Sequence, residues 1–211
     1  MEHPLDAVEV RVLGSLMEKE IATPEYYPLS LNALVNACNQ KSNREPAVNF
    51  DDQTVEQALE SLRARGWATR ITGRDVRVPK HSERLSEVLN LGRREAAVLC
   101  VLMLRGPQTL GEIRTRSERL YSFDDLEGVE ATLNRLAECQ PEPLVMRLAR
   151  QAGSREARYA HLLAGCPQVA EAAAETPAVE HGPSLSERVA ALEADVAELK
   201  RALEQFRRQF E

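Results

Sequence analysis

The apolar positions of this chain change period in a fixed order, and they do so twice. Residues 5–19 carry Val12, Leu13, Leu16 and Met17 at helical spacing, which predicts a first helix with one buried face. Thr23-Pro24 and Tyr27-Pro28 end it, and Ser30 caps a second helix with Leu31, Leu34 and Val35, ending near Asn39. A polar loop over residues 40–49 leads to a third helix that opens at Asp51-Asp52 and stops at Gly66. Its inward positions are Val55, Ala58, Leu59 and Leu62. Directly after Gly66 the period falls to two. Trp67, Thr69 and Ile71 alternate with Ala68 and Arg70, Thr72-Gly73-Arg74-Asp75 supplies a turn, and Val76 and Val78 return, which predicts a hairpin.

The scheme then recurs. Residues 92–105 read as a helix, Gly106-Pro107 breaks it, and residues 110–117 and 124–139 read as two more helices. Residues 144–148 and 157–159 form a second hairpin around Gly153. The halves also align without gaps over their first helices, residues 5–23 on residues 91–109. Seven of nineteen positions are identical: Leu5/Leu91, Glu9/Glu95, Val12/Val98, Leu13/Leu99, Leu16/Leu102, Met17/Met103 and Thr23/Thr109. Val55-Glu56-x-x-Leu59-x-x-Leu62 matches Val129-Glu130-x-x-Leu133-x-x-Leu136 in the same order, so the chain carries one module twice.

Three helices closed at once by a two-stranded hairpin form the winged helix-turn-helix arrangement. The expected fold is α+β, mainly α, with winged-helix domains over residues 1–82 and 83–164. A flexible linker rich in Ala, Pro and Glu is expected over 165–184, and a coiled-coil helix over 185–211. The expectation is that each half closes its helical trio with a basic ribbon around its own interior.

The final helix repeats its apolar positions by alternating steps of four and three. Val189, Val196, Leu203 and Phe210 fall at a, and Leu185, Leu192, Leu199 and Phe206 at d, which favours two parallel strands. Arg188 would face Glu193 and Asp195 would face Lys200 across such a pair. A parallel homodimer through Leu185, Val189, Leu192, Val196, Leu199, Leu203 and Phe206 is the expectation. An amphipathic helix folded back on the second module is the alternative.

Net charge is −6, yet residues 5–80 hold 10 basic and 11 acidic side chains and residues 83–165 hold 12 of each. The acidity sits beyond residue 165, with 5 basic against 9 acidic side chains, and at Glu2. Near-neutral modules leave nucleic acid open as a partner without an electrostatic argument for it. No apolar run approaches a membrane span and Met1-Glu2-His3-Pro4 is no signal peptide, so a cytoplasmic protein is expected. Cys38, Cys100, Cys139 and Cys166 are scattered and read as idle or buried thiols. His3, His81, His161 and His181 lack ligand spacing, and there is no Gly-rich phosphate loop. The chain is therefore expected to be no enzyme and to need no metal or cofactor.

Tyr27-Pro28-Leu29-Ser30-Leu31-Asn32-Ala33-Leu34, followed by Ala37-Cys38-Asn39-Gln40-Lys41-Ser42-Asn43-Arg44-Glu45-Pro46, resembles the signature of the YceH-like family of uncharacterised bacterial proteins. Leu104-Arg105-Gly106-Pro107-Gln108-Thr109-Leu110-Gly111-Glu112-Ile113-Arg114 and Arg147-Leu148-Ala149-Arg150 support the likeness, which covers about 160 residues. The resemblance implies tandem winged-helix domains and a bacterial origin, and it implies no activity.

In such folds the third helix enters the major groove. Here its start is Asp51-Asp52 in one module and Asp124-Asp125 in the other, followed by Glu56, Glu60, Glu127, Glu130 and Glu138. Those carboxylates suit helix N-termini but would face a polyanion, so third-helix docking is disfavoured. The hairpins carry the opposite charge. Arg63, Arg65, Arg70, Arg74, Arg77 and Lys80 stand against Asp75, and Arg147, Arg150, Arg155 and Arg158 against Glu156. Helix two of the second module adds Arg114, Arg116 and Arg119. The segment from Asn39 through Gln40, Lys41, Asn43 and Arg44 can hydrogen-bond bases or phosphates, or equally cap helix two and bridge the modules. The leading expectation is a dimeric DNA-binding or regulatory protein that touches double-stranded DNA through wings and this loop. A protein-binding scaffold or adaptor is the alternative, because the fold alone decides neither.

Overall fold

The computed structural model describes residues 4–73, 76–150 and 156–166. Arg74, Gly153 and Arg155 lie outside the described residues, as do the linker beyond Cys166 and the whole coiled-coil segment with Leu185, Val189, Leu192, Val196, Leu199, Leu203 and Phe206.

Helix α1 (Ala7–Ala22) starts at a reciprocal cap. The Asp6 carboxylate accepts from the Glu9 amide and the Glu9 carboxylate accepts from the Asp6 amide, both at 2.8 Å. A 3₁₀ turn, Pro24–Tyr26, leads to strand β1 (Leu29–Ser30) and helix α2 (Leu31–Cys38), whose cap is the Ser30 hydroxyl. Helix α3 (Asp52–Ala64) buries Val55, Ala58, Leu59 and Leu62, the four positions its spacing predicts. Strands β2 (Ala68–Gly73) and β3 (Val76–Glu83) make the expected hairpin. Two-residue β1 pairs with the other edge of β3, setting Leu29 opposite His81 and giving the sheet order β1-β3-β2. A segment that short has no period to read, and the sequence did not predict it.

The apolar hairpin positions are not all core. Of β2 only Ala68 is buried, while Ile71 and Val78 are 39% and 55% exposed. The register shifts between Ile71 and Gly73, an irregularity in the pairing of the hairpin.

A short helix, α4 (Leu85–Val88), opens the second half. Then come α5 (Arg93–Arg105), α6 (Leu110–Ser117, with a Thr109/Glu112 capping box) and α7 (Leu126–Ala137, capped by Asp125). Strands β4 (Val145–Arg147) and β5 (Tyr159–His161) pair antiparallel. Gln108 bridges to Tyr159 on the free edge of β5, with backbone bonds of 3.0 and 2.7 Å. The duplicated module therefore repeats its sheet topology as well as its helices, with β1 reduced to one bridge.

The two interiors are joined, which corrects the expectation of two separate cores. The described residues lie in one compact unit whose buried apolar cluster runs through both halves. The cause is the first helix of each module. Burial is unbroken from Glu9 to Met17 in α1 and from Glu95 to Leu104 in α5, and a helix covered on every side needs a second layer of partners. Each helix supplies the other's. The Cys100 thiol donates to the Gly14 carbonyl at 3.5 Å, across the same offset of 86 residues that relates the repeats. A Cβ on Gly14 would sit 3.0 Å from Leu104 Cδ2 and 3.2 Å from Met103 Cβ, so glycine is what lets the helices approach this closely. Each first helix also buries its glutamate on an arginine from beyond or within its own third helix: Glu9 with Arg65 at 3.7 Å and Glu95 with Arg135 at 3.1 Å.

The loop after α2 is fastened at several points. Asn39 bonds both the amide and the carbonyl of Phe50 at 2.8 Å, closing the loop at its neck. Buried Arg11 reaches the Cys38 and Pro46 carbonyls at 3.1 and 2.6 Å. Arg44, 6% exposed, forks onto both oxygens of Glu18 at 3.1 and 2.5 Å and also reaches the Ala37 carbonyl. On the far side the Glu45 amide donates to the Leu104 carbonyl at 2.8 Å, and Arg105 bonds the side chain of Asn43, a residue with φ of 60°. The loop thus ties α1, α2 and α5 together.

Replacing Gly14 with Leu is expected to destabilise the protein by roughly 1–3 kcal/mol through overpacking. Gly111→Ala, in α6 with open space around its Cβ position, is expected to add up to about 1 kcal/mol. Denaturant midpoints of the two variants check this pair. Burial would raise the Glu18 carboxyl, but the hydrogen bonds and charge of Arg44 outweigh it and hold the group below its ordinary 4.5. Its stabilisation is then present above that value and lost as the pH falls beneath it. Arg44→Ala is expected to cost roughly 3–5 kcal/mol at neutral pH and to flatten the acid limb of stability against pH. An acid limb as steep as the parent's would show that Glu18 does not depend on Arg44.

Candidate functional site

The β2–β3 hairpin carries exposed basic side chains. The pairing sets Arg70 opposite His81 and Ile71 opposite Lys80, while Arg77 and Val78 fall in the irregular stretch that follows. Arg70, Arg77 and Lys80 are solvent-exposed. His81 is buried, and that burial, with Arg70 and Arg63 beside it, lowers its imidazole pKa. Not every expected cation is available: Arg65 pairs with Glu9, and Arg63 lies 4.0 Å from Glu60.

On the second hairpin Arg147 and Arg150 are exposed. Arg158 is held by the Pro107 carbonyl at 2.8 Å and Glu112 at 3.1 Å. Burial pushes His161 in β5 down to about 4, so it is neutral at neutral pH. Arg114 spends its guanidinium on the Phe123 and Asp124 carbonyls, fixing the loop before α7.

The third helices keep their acidic fronts. Asp51 accepts from the Thr54 amide and Asp125 from the Gly128 amide, so one carboxylate of each Asp-Asp pair is a cap. Asp52, Glu56, Glu60, Glu127 and Glu130 remain exposed. A phosphate approaching either helix along its outward face meets these carboxylates first.

The 39–44 loop divides in two. Asn39 and Arg44 spend their side chains within the fold: Asn39 closes the loop on Phe50, and the Arg44 guanidinium is enclosed against Glu18, as the bridging alternative has it. Gln40, Lys41 and Asn43 instead line a cleft of about 670 Å³. Lys19 from the end of α1, Arg105 from the end of α5, and Arg116 and Arg119 from α6 and the turn after it line it too. The sequence marks Lys41 and notes Arg116 and Arg119 as a charge cluster, but Lys19 and Arg105 carry no signal. They belong to helices 86 residues apart in equivalent modules, and only the α1–α5 crossing brings their ends together.

Among the described residues no group of histidine, cysteine and carboxylate side chains has metal-site geometry, and all four cysteines are free. No described helix is long and apolar enough to cross a membrane.

A family model described as a protein of unknown function, DUF480, matches residues 5–173. A UPF0502 protein of Solibacter usitatus is 66% identical over 212 residues, covering the whole of both chains. One from Pelobacter propionicus is 52% identical over 221 residues, again in full, and one from Opitutus terrae is 52% identical over 190 residues, 89% of this chain and 83% of its own. With its model match spanning the compact unit and its relatives alike from end to end, this chain belongs to the DUF480, or UPF0502, family.

Proposed function

We propose that this protein is a non-enzymatic DNA-binding factor made of two winged helix-turn-helix repeats back to back, gripping the sugar–phosphate backbone with its hairpins. The observation that carries the reading is the β2–β3 hairpin, which holds Arg70, Arg77 and Lys80 in solvent. Three helices followed by a sheet of order β1-β3-β2 fit a winged helix, as does the echo of that order at Gln108, β5 and β4. The likeness of Tyr27 to Pro46 to YceH-like proteins favours the same arrangement. The exposed carboxylates of α3 and α7 argue that the third helices do not read base edges. Binding is then sequence-blind, salt-dependent and carried by phosphate contacts. The heptad pattern of residues 185–210 supports a parallel dimer, which would double the hairpins presented to one duplex.

A second reading, a scaffold that docks protein partners, is favoured by one observation. Ile71 and Val78 lie on the two strands of the same hairpin and are both exposed. Such a side-chain pair suits an apolar partner surface as well as it suits a wing lying against sugar.

Fluorescence anisotropy with a duplex at 50 and 200 mM salt tests the first reading. Micromolar binding at low salt is expected, with Arg70→Glu and Arg77→Glu together lowering the log–log salt slope by about 2, since each phosphate contact contributes ~0.9. Ile71→Ser with Val78→Ser should leave that slope unchanged. No binding at micromolar protein in 50 mM salt would remove the DNA reading and leave the scaffold.

A further inference from the structure

The cleft between the end of α1, the 40–43 loop, α5 and α6 gathers five cations, Lys19, Lys41, Arg105, Arg116 and Arg119, against a single lining carboxylate, Glu18. That carboxylate is already engaged, with both oxygens on buried Arg44 and one 3.5 Å from the Lys19 ammonium. Arg116 has one further anionic partner, Glu112 at 3.4 Å, which Arg158 shares from the other side. Lys41 and Arg119 have no ion pair among the described residues. Positive charge is thus in excess, and Arg105 registers it: burial, then the charge of Arg116, lowers its pKa, with Glu45 opposing.

The cations stand at two depths, Arg105 and Arg116 half-buried and Lys41 and Arg119 exposed. Between them lies an apolar floor of Val101 and Leu104, both nearly inaccessible, with Leu120 alongside. A volume of about 670 Å³ suits a small organic molecule, and the lining is mixed, with convergent charges over a few apolar side chains. A duplex backbone is convex and stiff, so it would meet the exposed pair and leave the half-buried pair and the floor unused. Arg105, Arg116, Arg119 and Lys41 carry more charge than one carboxylate can neutralise, so a ligand with several phosphate oxygens and more than one negative charge suits them better.

We propose that this cleft is a binding site for a nucleoside diphosphate-like ligand, its phosphates held by Arg105, Arg116, Arg119 and Lys41 and its uncharged part laid on Val101, Leu104 and Leu120. The site is separate from the hairpin surface and does not depend on the DNA reading. It also gives the 40–43 loop a purpose beyond bridging: fastened by Asn39 and Arg44 at either side, it presents Lys41 to the cleft from a fixed frame.

Calorimetric titration of the full chain with ADP, pyrophosphate and adenosine in 50 mM salt tests this. ADP is expected to bind more tightly than pyrophosphate, with adenosine giving no heat. Lys41→Glu with Arg119→Glu, two exposed side chains whose change leaves the core intact, should weaken ADP roughly tenfold or more. Arg70→Glu with Arg77→Glu should leave ADP affinity as it was. The proposal is overturned if neither ADP nor pyrophosphate binds at millimolar concentration, or if ADP and pyrophosphate bind equally. It is also overturned if the Lys41/Arg119 variant keeps parental ADP affinity, or if that variant loses duplex binding while ADP binding is nil.

Discussion

Two helices related by an internal duplication cross at equivalent residues, and most of the architecture depends on that crossing. Gly14 meets Cys100, its own counterpart, while Leu104 packs over Gly14. The contact resembles the isologous face of a two-fold dimer, except that both copies belong to one chain. A patch that is its own partner needs to be small at its centre, and glycine facing cysteine meets that need. Because both first helices are covered on all sides, neither trio could bury its own first helix alone, and the halves share one interior.

The first module's long polar loop serves this junction. Arg11 and Arg44 are enclosed; Arg44 bonds a carboxylate and carbonyl oxygens, and Arg11 gives its two terminal nitrogens to carbonyls while its Nε has no partner among the described residues. Buried guanidinium groups are costly unless fully paired, so a loop that supplies their partners is held in one geometry. Much of the stretch that resembles the YceH-like signature is spent in this way. The Tyr27 hydroxyl accepts from the Glu83 amide at 2.6 Å, Ser30 caps α2, and Asn39 locks Phe50. What the frame leaves over, at the mouth of the crossing, is a cationic cleft.

Charge in this protein is sorted by place rather than by sum. Near-neutral halves hold acidic third-helix faces, basic hairpin ribs and a basic cleft at separate sites. Over distances longer than about 8–10 Å such patches are screened from one another at physiological salt, so each keeps its own local field despite a net charge of −6.

The sequence by itself determined the local elements. Periods of 3.6 and 2, with Ser30, Asp51 and Asp125 as caps and Gly106-Pro107 as a break, placed six helices and two hairpins close to where they lie, because these signals act over one or two turns of chain. The duplication too was legible, since aligned identities need no coordinates. It did not determine which polar residues are consumed by structure: Arg44 and Lys41 sit three positions apart in one polar run, yet one is enclosed and the other open. One signal of the shared interior was present, the stretch from Ala96 to Leu104 without a single charged residue, which leaves no face for water. The partner that covers such a helix is set by packing between segments 86 residues apart. Only the tertiary structure decided that partner, and with it which lysines and arginines share a cleft.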